Sequence, residues 1–367
     1  MKLQVLQENL SKSLMIASRF VSNRAQLPVL GNTMLTAKNN KLLVSATNLE
    51  SSINLSVGAK VEKDGDITVP ARTINDIVSN LPAGPINIEV DKEQILITSR
   101  NYSSRVSGMN SADFPSVPQG VGKGSIKFPR KELVESIGKV IFSSSADETR
   151  PILTGVLFIL KKGSVTFVST DGFRLSEKSL VLGNIKLTQD VILPKSVLSE
   201  LVRLVGESDE ISFSYSKKDN QVVFGVDGMI LASRILAGEF PDYKKRIPSA
   251  SKIKVNLDKE EFARAVKLSG IFAKDSANVV KLKVGKDAVE FEAQSKSSGS
   301  QETKVDAKVD GGELEIAFNF KFLDEVLNVI EGDEVQLELN DASSPGVFKD
   351  PKVKDFLHLI MPVKVQD

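Results

Sequence analysis

Apolar and polar residues alternate along much of this chain, as they do in strands that bury one face of a sheet. Residues 1–8, 86–90 and 356–362 follow this alternation. Residues 74–81 instead repeat apolar side chains every three or four positions, which is the spacing of an amphipathic helix. The pattern predicts many short strands interrupted by a few helices.

The same pattern occurs three times along the chain. Similar proline-containing segments recur in the same order after 123, 124 and 126 residues, namely Pro28 and Pro151, Pro70 and Pro194, and Pro115 and Pro241. A fainter third copy is marked by Asn319 and Pro362. In a chain of 367 residues these intervals fit three copies of one domain. We predict domains at residues 1–120, 124–248 and 249–367.

Each copy is predicted to contain two helices among more numerous strands. The first helices are expected at Glu8–Phe20, Lys131–Phe142 and Lys259–Phe272. Pro70 and Pro194 stand just before the second helices, where proline costs no helical hydrogen bond. The predicted fold class is α+β, with helices packed on antiparallel sheets.

The composition argues against several kinds of chemistry. The chain has no cysteine, which excludes disulfides, thiolate nucleophiles and Cys-ligated metals. Its single histidine, His358, lies in an alternating segment, which favours a structural role over catalysis. Glycine-rich phosphate loops and the G-x-S-x-G motif are also missing from the sequence. The usual tools of an enzyme are therefore missing, although an enzyme is not excluded, and we expect no metal and no cofactor.

Targeting and membrane signals are missing from the sequence. The first residues lack the apolar core of a signal peptide. No run of about 18 apolar residues occurs that would span a bilayer. We expect a cytoplasmic protein that does not bind a membrane.

Charge is balanced overall but sorted along the chain. The 48 Lys and Arg residues face 47 Asp and Glu residues, giving a net charge of +1. Residues 1–122 carry +2, residues 123–248 carry +4 and residues 249–367 carry −5. On the predicted first helices, basic residues lie two positions from apolar anchors and so face away from the core. A solvated helix face explains any one of them, whereas recurrence in three copies favours a positive surface for phosphates.

Thr170–Leu175, with the sequence TDGFRL, is the most individual segment of the chain. Asp-Gly is typical of a tight turn, and an ordinary hairpin accounts for the segment. A large apolar residue beside arginine is also the composition of a binding hot spot. The sequence alone leaves both interpretations open.

Several segments together resemble the bacterial DNA polymerase III β subunit, the β sliding clamp of the DNA clamp family. They are Leu27–Asn32, Val69–Arg72, Ala112–Pro115, Thr170–Leu175, Gly238–Tyr243, Phe318-Asn319 and Met361-Pro362. The resemblance implies three DNA-clamp domains and a head-to-tail homodimer that forms a six-domain ring. It implies a non-catalytic processivity factor that encircles duplex DNA, slides without sequence specificity and tethers the replicative polymerase.

The resemblance and the helical basic stripes imply two sets of site residues. The candidates for DNA binding are Lys12, Arg19, Arg24, Arg72, Lys131, Lys139, Arg203 and Arg264. The implied partner-peptide cleft, between domains 2 and 3, comprises Leu153, Thr170, Gly172, Phe173, Arg174, Leu175, Pro241, Asn319, Phe322, Pro345, Met361, Pro362 and Val363. Phe173 replaces a common histidine of the family, Val363 replaces a frequent methionine, and Arg246 stands where a small apolar residue is frequent.

The resemblance also implies a dimer interface and a set of partners. Val106 of one subunit would meet Leu268 and Phe272 of the other. Lys267 and Ser104 stand where large apolar residues are often found, so we expect a more polar interface and a weaker dimer. The implied partners are double-stranded DNA, a second copy of the chain, the polymerase catalytic subunit, the clamp loader and other proteins with a clamp-binding motif.

Two other functions are compatible with the residues alone. One is an enzyme with a carboxylate-based site in a cleft between repeats. The other is an adaptor built from repeats, with no role on DNA.

Overall fold

The computed structural model describes residues 1–22, 27–183 and 185–364. Within these residues the chain forms six α-helices and 24 β-strands. It divides into two compact units, which consist of Met1–Arg130 with Arg203–Ile235, and of Lys131–Val202 with Leu236–Asp367.

Every helix of the described chain begins directly after a strand. The helices are α1 (Gln7–Ala17), α2 (Ala71–Asn80), α3 (Arg130–Ile141), α4 (Lys195–Leu204), α5 (Lys259–Ala273) and α6 (Phe320–Val329). The three predicted first helices are confirmed to within a few residues. The largest difference lies at Ser18–Phe20, which continues α1 as a 3-10 turn.

The strand-to-helix junctions explain where these helices start. Pro70 and Pro194 end their strands, so the helix begins at the next residue. Asp258 and Asn319 cap α5 and α6, because their side chains accept hydrogen bonds from the main-chain N–H groups of Glu261 and Lys321 at 2.9 and 3.0 Å. The first α-helical turn is thus set by local sequence.

The first unit contains one antiparallel sheet of 12 strands in its described residues. The strands are β1 (Lys2–Leu6), β2 (Asn32–Lys38), β3 (Lys41–Thr47), β4 (Ser51–Lys63), β5 (Gly65–Pro70), β6 (Pro85–Asp91), β7 (Gln94–Ser99), β8 (Tyr102–Ser107), β9 (Ile126–Pro129), β14 (Glu210–Ser216), β15 (Gln221–Val226) and β16 (Met229–Arg234). They run in the order β8-β7-β6-β1-β4-β16-β15-β14-β9, with β3, β2 and β5 continuing from β4.

The second unit likewise contains a 12-stranded antiparallel sheet in the part of the chain that is described. Its strands are β10 (Gly155–Lys161), β11 (Ser164–Thr170), β12 (Arg174–Val181), β13 (Gln189–Pro194), β17 (Ile253–Asp258), β18 (Val279–Val284), β19 (Ala288–Ser295), β20 (Gly299–Asp310), β21 (Leu314–Asn319), β22 (Glu334–Leu339), β23 (Gly346–Lys349) and β24 (Phe356–Ile360). Their order is β13-β10-β11-β12-β24-β23-β22-β17-β20-β19-β18-β21. In the core of this unit, α5 packs on β19 and β20 through Phe262, whose ring centroid lies 5.3 Å from that of Phe291.

Strand pairing crosses both of the predicted domain borders. In the first unit β4 pairs with β16, and Leu55 opposes Met229. In the second unit β12 pairs with β24, and Lys178 opposes Phe356. The second and the third repeat therefore each add their last strand to the sheet of the repeat before them.

His358 is fully buried in β24, which confirms its predicted structural role. Its Nδ1 lies 2.7 Å from the Ser176 hydroxyl, which lies 2.7 Å from the Ser143 hydroxyl. Burial and the charge of Arg174 lower the pKa of His358 well below its ordinary value of 6.5. The imidazole is therefore neutral in the folded protein.

None of the helices among the described residues combines the length and the apolar character needed to cross a membrane.

Replacing His358 with leucine should make the free energy of unfolding depend less on pH below about pH 6.5. The unfolded chain binds a proton at the imidazole below pH 6.5, while the folded chain does not. The natural chain therefore loses up to about 1.4 kcal/mol of unfolding free energy per pH unit below that point, and H358L does not. Thermal unfolding of both proteins between pH 7.5 and 5 measures this. Equal pH slopes would contradict a neutral buried imidazole, and no other histidine is present to mask it.

Candidate functional site

The second unit contains a cavity of about 700 Å³ that gathers residues from distant parts of the chain. Eight of the predicted cleft residues line it: Leu153, Thr170, Gly172, Phe173, Arg174, Leu175, Pro241 and Met361. The β11–β12 turn, the segment before β17 and the segment after β24 supply most of the wall. The cavity is open enough to admit side chains of another molecule.

The turn at Thr170–Leu175 is held rigidly by its own side chains. The Thr170 hydroxyl donates a hydrogen bond to the Arg174 carbonyl at 2.6 Å, and it accepts one from the Gly172 N–H at 3.0 Å. The Asp171 carboxylate accepts from the N–H groups of Phe173 and Arg174 at 2.9 and 3.0 Å. Gly172 has φ +96°, a conformation that other residues rarely adopt. Phe173 is consequently presented at the rim, with 61% of its surface exposed.

Arg174 fixes the polar side of the cavity. Its Nε donates to Asp171 at 3.0 Å and its Nη2 donates to the Phe142 carbonyl at 2.8 Å. Its Nη1 donates to Glu325. The guanidinium also lies 4.5 Å from the centroid of the Phe322 ring, within the range of a cation–π interaction. A buried arginine with these partners is neutralised by its own protein.

The floor of the cavity is apolar. Leu175 and Leu359 belong to a buried cluster that also contains Tyr243. Met361 packs against the same cluster, and its N–H donates to the Phe173 carbonyl at 2.8 Å. The arrangement suits an apolar side chain inserted from outside, with polar groups at the edge.

Five predicted cleft residues are not among the lining residues of this cavity. Phe322 contacts it indirectly, through Arg174. Asn319 caps α6, and the N–H of Val363 donates to the Ala317 carbonyl at 2.8 Å. Pro345 and Pro362 are half-buried.

The structure adds cavity residues that sequence reasoning did not assign to the cleft. They are Asp242, Tyr243, Lys245 and Leu359, while Arg246, already named as a departure at the cleft, lines the cavity as well. The first three lie within four residues of Pro241, so proximity to a predicted site residue is the signal that was available. Leu359 carried no such signal, because alternation along β24 shows only that one face is buried.

The predicted DNA-binding residues on the helices lie at solvent-exposed positions, with the exception of the buried Lys139. Lys12, Arg19, Lys131, Arg203 and Arg264 are all exposed, as predicted from their spacing, and so is Arg72. Arg24 lies outside the described residues. Arg72 stands in the first turn of α2, and its Nε lies 3.9 Å from the Asp76 carboxylate.

The predicted dimer-interface residues differ in their exposure. Val106 is only 7% exposed, because its side chain points into the protein's own core from β8. It is therefore not available as an interface side chain, which corrects that prediction. Leu268 on α5 is exposed, and Phe272 packs against the core while remaining half-buried. The same two elements also carry exposed apolar residues that were not predicted for the interface, namely Tyr102 on β8 and Ile271 on α5.

Comparison with known proteins places this fold and these segments in a family. Three family models match consecutive parts of the chain. They are the N-terminal domain of the DNA polymerase III β subunit at residues 1–118, its central domain at 127–242 and its C-terminal domain at 244–364. The chain belongs to the bacterial DNA polymerase III β subunit family.

Individual relatives agree with this assignment. The β sliding clamp of Staphylococcus aureus strain Mu50 is 31% identical over 357 residues, which cover 94% of each chain. Two solved sliding clamps cover the whole of this chain and are covered wholly by it, both with TM-score 0.94. They come from Bacillus subtilis, at 26% identity, and from C. crescentus, at 27% identity. The predicted α+β clamp fold is confirmed, and so is the function of a non-catalytic processivity clamp. The enzyme alternative is therefore rejected.

Lys139 is the buried residue among the predicted DNA-binding residues that the structure of this sliding clamp describes. Its side chain is only 4% exposed and lies 3.1 Å from Glu135 and 3.2 Å from Glu331. Burial lowers the pKa of Lys139, but hydrogen bonds to the two glutamates outweigh it and raise the pKa above its ordinary value. Lys139 is thus a charged, internally paired residue, and its assignment to DNA binding is wrong.

Replacing Arg174 with alanine should destabilise the clamp strongly. The change leaves Asp171, whose side chain is 15% exposed, without its cation. Removing one partner of such a pair costs about 3–5 kcal/mol. Arg150→Ala is the matched control, since Arg150 is half-exposed and lies 3.4 Å from Asp147. It should cost at most about 1 kcal/mol. Urea unfolding followed by circular dichroism measures both, and similar small losses would contradict the network described for Arg174.

Proposed function

We propose that two copies of this chain close head to tail into a six-domain ring around duplex DNA. The ring slides along the duplex and tethers the polymerase catalytic subunit and other partners through the cleft at Arg174. The observation that carries the proposal is that β8 and the first part of β20 each pair with a single strand among the described residues, although the strands equivalent to them in the repeat are paired on both sides. The proposed domains are residues 1–120, 124–248 and 249–367, and the proposed location is the cytoplasm, where bacterial DNA is replicated.

The edges of β8 and β20 match edges that are paired inside the chain. Among the described residues, β8 pairs only with β7, while residues 299–306 of β20 pair only with β19. In the repeat, β8 corresponds to β16, and β20 corresponds to β4. Since β16 adds to β4 within the chain, β8 of one copy is suited to add to β20 of another.

The internal pairings also predict the register of this contact. Tyr102 corresponds to Met229, because both directly follow a two-residue hairpin turn. Thr303 corresponds to Leu55, because Ala307 and Ala59 occupy equivalent positions opposite Leu257 and Val5. As Met229 opposes Leu55, Tyr102 should oppose Thr303 of the second copy. Ser103 should then oppose Glu302.

The side chains fit this register on both faces. Tyr102 would lie on the helix side of the sheet, where Leu268 and Ile271 of the partner copy are exposed. On the outer face, the carboxylates of Glu290, Glu292 and Glu302 lie within 4.8 Å of one another. Hydrogen bonding to Glu290 and its charge raise the pKa of Glu302. Arg105, on the same face of β8 as Ser103, would bring a positive charge to this cluster. A slip of one residue would exchange the two faces.

Cysteine cross-linking tests the register directly, because the natural chain has no cysteine. The double variant Ser103→Cys/Glu302→Cys should form a disulfide-linked dimer under mild oxidation, since opposed residues have Cα atoms about 4.5–5.5 Å apart. Ser103→Cys/Gln301→Cys is the control, with the second cysteine on the opposite face. Non-reducing electrophoresis reads both out. Equal linkage in the control, or none in the test variant, would overturn the proposed interface.

For DNA we propose the exposed basic residues Lys12, Arg19, Arg72, Lys131, Arg203 and Arg264, with Arg24 as a further candidate. Contacts of lysine and arginine with phosphates carry no sequence information, which a sliding protein requires. Enclosure supplies the hold, so the chain needs little net charge. The clamp loader is the proposed partner that opens the ring, and tethering raises the local polymerase concentration.

Charge reversal on the helices should weaken retention on DNA. The variant Lys12→Glu/Arg264→Glu should leave nicked circular DNA faster than the natural chain. Each phosphate contact that is lost should reduce the slope of log K against log[salt] by about 0.9 in magnitude. The control Lys162→Glu/Lys286→Glu makes the same charge change at exposed hairpin turns. Retention is measured by gel filtration of loaded clamp, before and after the circle is cut. Unchanged retention of the helix variant would remove these two residues from the proposed DNA-contacting set, and equal retention on linear DNA would refute enclosure.

A further inference from the structure

Three cations line the cavity at Arg174, and two of them are neutralised by the protein itself. Arg174 is buried and paired with Asp171 and Glu325. Lys245 lies 2.8 Å from the Asp242 carboxylate. Their charges are therefore satisfied before any partner arrives.

Arg246 is the remaining cation. It is exposed, and no carboxylate within the described residues forms an ion pair with it. Asp242, the nearest acidic residue in its own loop, is engaged by Lys245. The wall of the cavity consequently presents one positive charge without a counter-ion.

The position of Arg246 is set by its neighbours. It ends a 3-10 turn, Lys244–Arg246, and its N–H donates to the Tyr243 carbonyl at 2.9 Å. Tyr243 and Ile247, on either side of this turn, both pack into the apolar cluster beneath the cavity. The neighbours of Arg246 thus anchor its main chain on both sides. Its exposed guanidinium remains available to contact a bound partner.

We propose that Arg246 is a specificity-determining residue that selects partner segments with an acidic residue beside their apolar anchor. This rests on the proposed function of the cavity as a partner-peptide cleft. Leu175, Leu359 and Met361 receive the apolar side chain, and the guanidinium receives the carboxylate through paired N–H···O bonds. A small apolar residue at position 246 would offer no such contact, so the preference is a property of this chain.

Peptide binding measured by fluorescence anisotropy tests the proposal. The probes are labelled nine-residue peptides with a central leucine pair, in which one aspartate is moved stepwise along the flanks. Each is matched to a peptide with asparagine at that place. For the natural chain we expect one aspartate position to bind about three- to tenfold tighter than its asparagine match, because partly exposed ion pairs contribute modestly. This advantage should shrink at high salt.

Two variants separate Arg246 from the general charge of the loop. Arg246→Ala should lose the aspartate advantage while still binding the asparagine peptides. Lys244→Ala is the control, since Lys244 is exposed in the same turn but does not line the cavity, and it should keep the advantage. Arg246→Glu should reverse the preference toward a peptide with lysine at the same place, which a double-mutant cycle quantifies.

The outcomes distinguish this proposal from the one on which it rests. An aspartate advantage that persists in Arg246→Ala, or no advantage in the natural chain, overturns the role of Arg246 while peptide binding itself stands. If no leucine peptide binds the natural chain, the cleft function fails and this proposal fails with it.

Discussion

Pairing of sheet edges is the constraint on which the rest of this structure depends. An open edge presents unpaired N–H and C=O groups, which favour addition of another strand. Within the chain, β16 covers the edge of β4 and β24 covers the edge of β12. Main-chain hydrogen bonds therefore join consecutive repeats, and they depend little on side-chain identity. This is a physical reason why relatives at 26% identity share the fold with TM-score 0.94.

Many charged residues are paired with close neighbours, so the local charge differs from the net charge of the chain. A net charge of +1 looks unsuited to a protein that meets DNA. It is a sum over internally paired groups, such as Lys139 with Glu135 and Glu331, and over exposed cations on helices, such as Lys12. Paired charges add little to the field felt by a distant phosphate. The net charge of the chain therefore does not describe the charge that a particular helix face presents.

The cleft combines a turn and a polar wall that are fixed by hydrogen bonds with side chains that are exposed at its rim. Hydrogen bonds from Thr170 and Asp171 fix the turn, and the partners of Arg174 fix the polar wall. Phe173 and Arg246 are among the exposed residues of the cavity lining. Variation at these two positions would alter the exposed lining of the cavity without disturbing the core, since both side chains are exposed.

The sequence by itself determined the local structure and the family. Helix starts followed from Pro70, Pro194 and the spacing of apolar residues, because these depend on neighbours in the chain. Seven segments in the family's order carried the clamp resemblance, together with the repeat intervals, and eight residues of the cavity lining followed from it. Solvent exposure of Lys12 or Arg264 was also readable, as it needs only the helical period.

Only the tertiary structure decided what depends on residues far apart in sequence. Lys139 has the same helical spacing as the exposed candidates, yet Glu331 approaches it from a segment near the end of the chain. From the sequence alone, Val106 could lie on either face of its strand. Its position opposite the buried Ile95 decides that it points inward. The charge of Arg246 matters because Lys245 already occupies Asp242. Such pairings arise from three-dimensional proximity, which the order of residues along the chain does not encode locally.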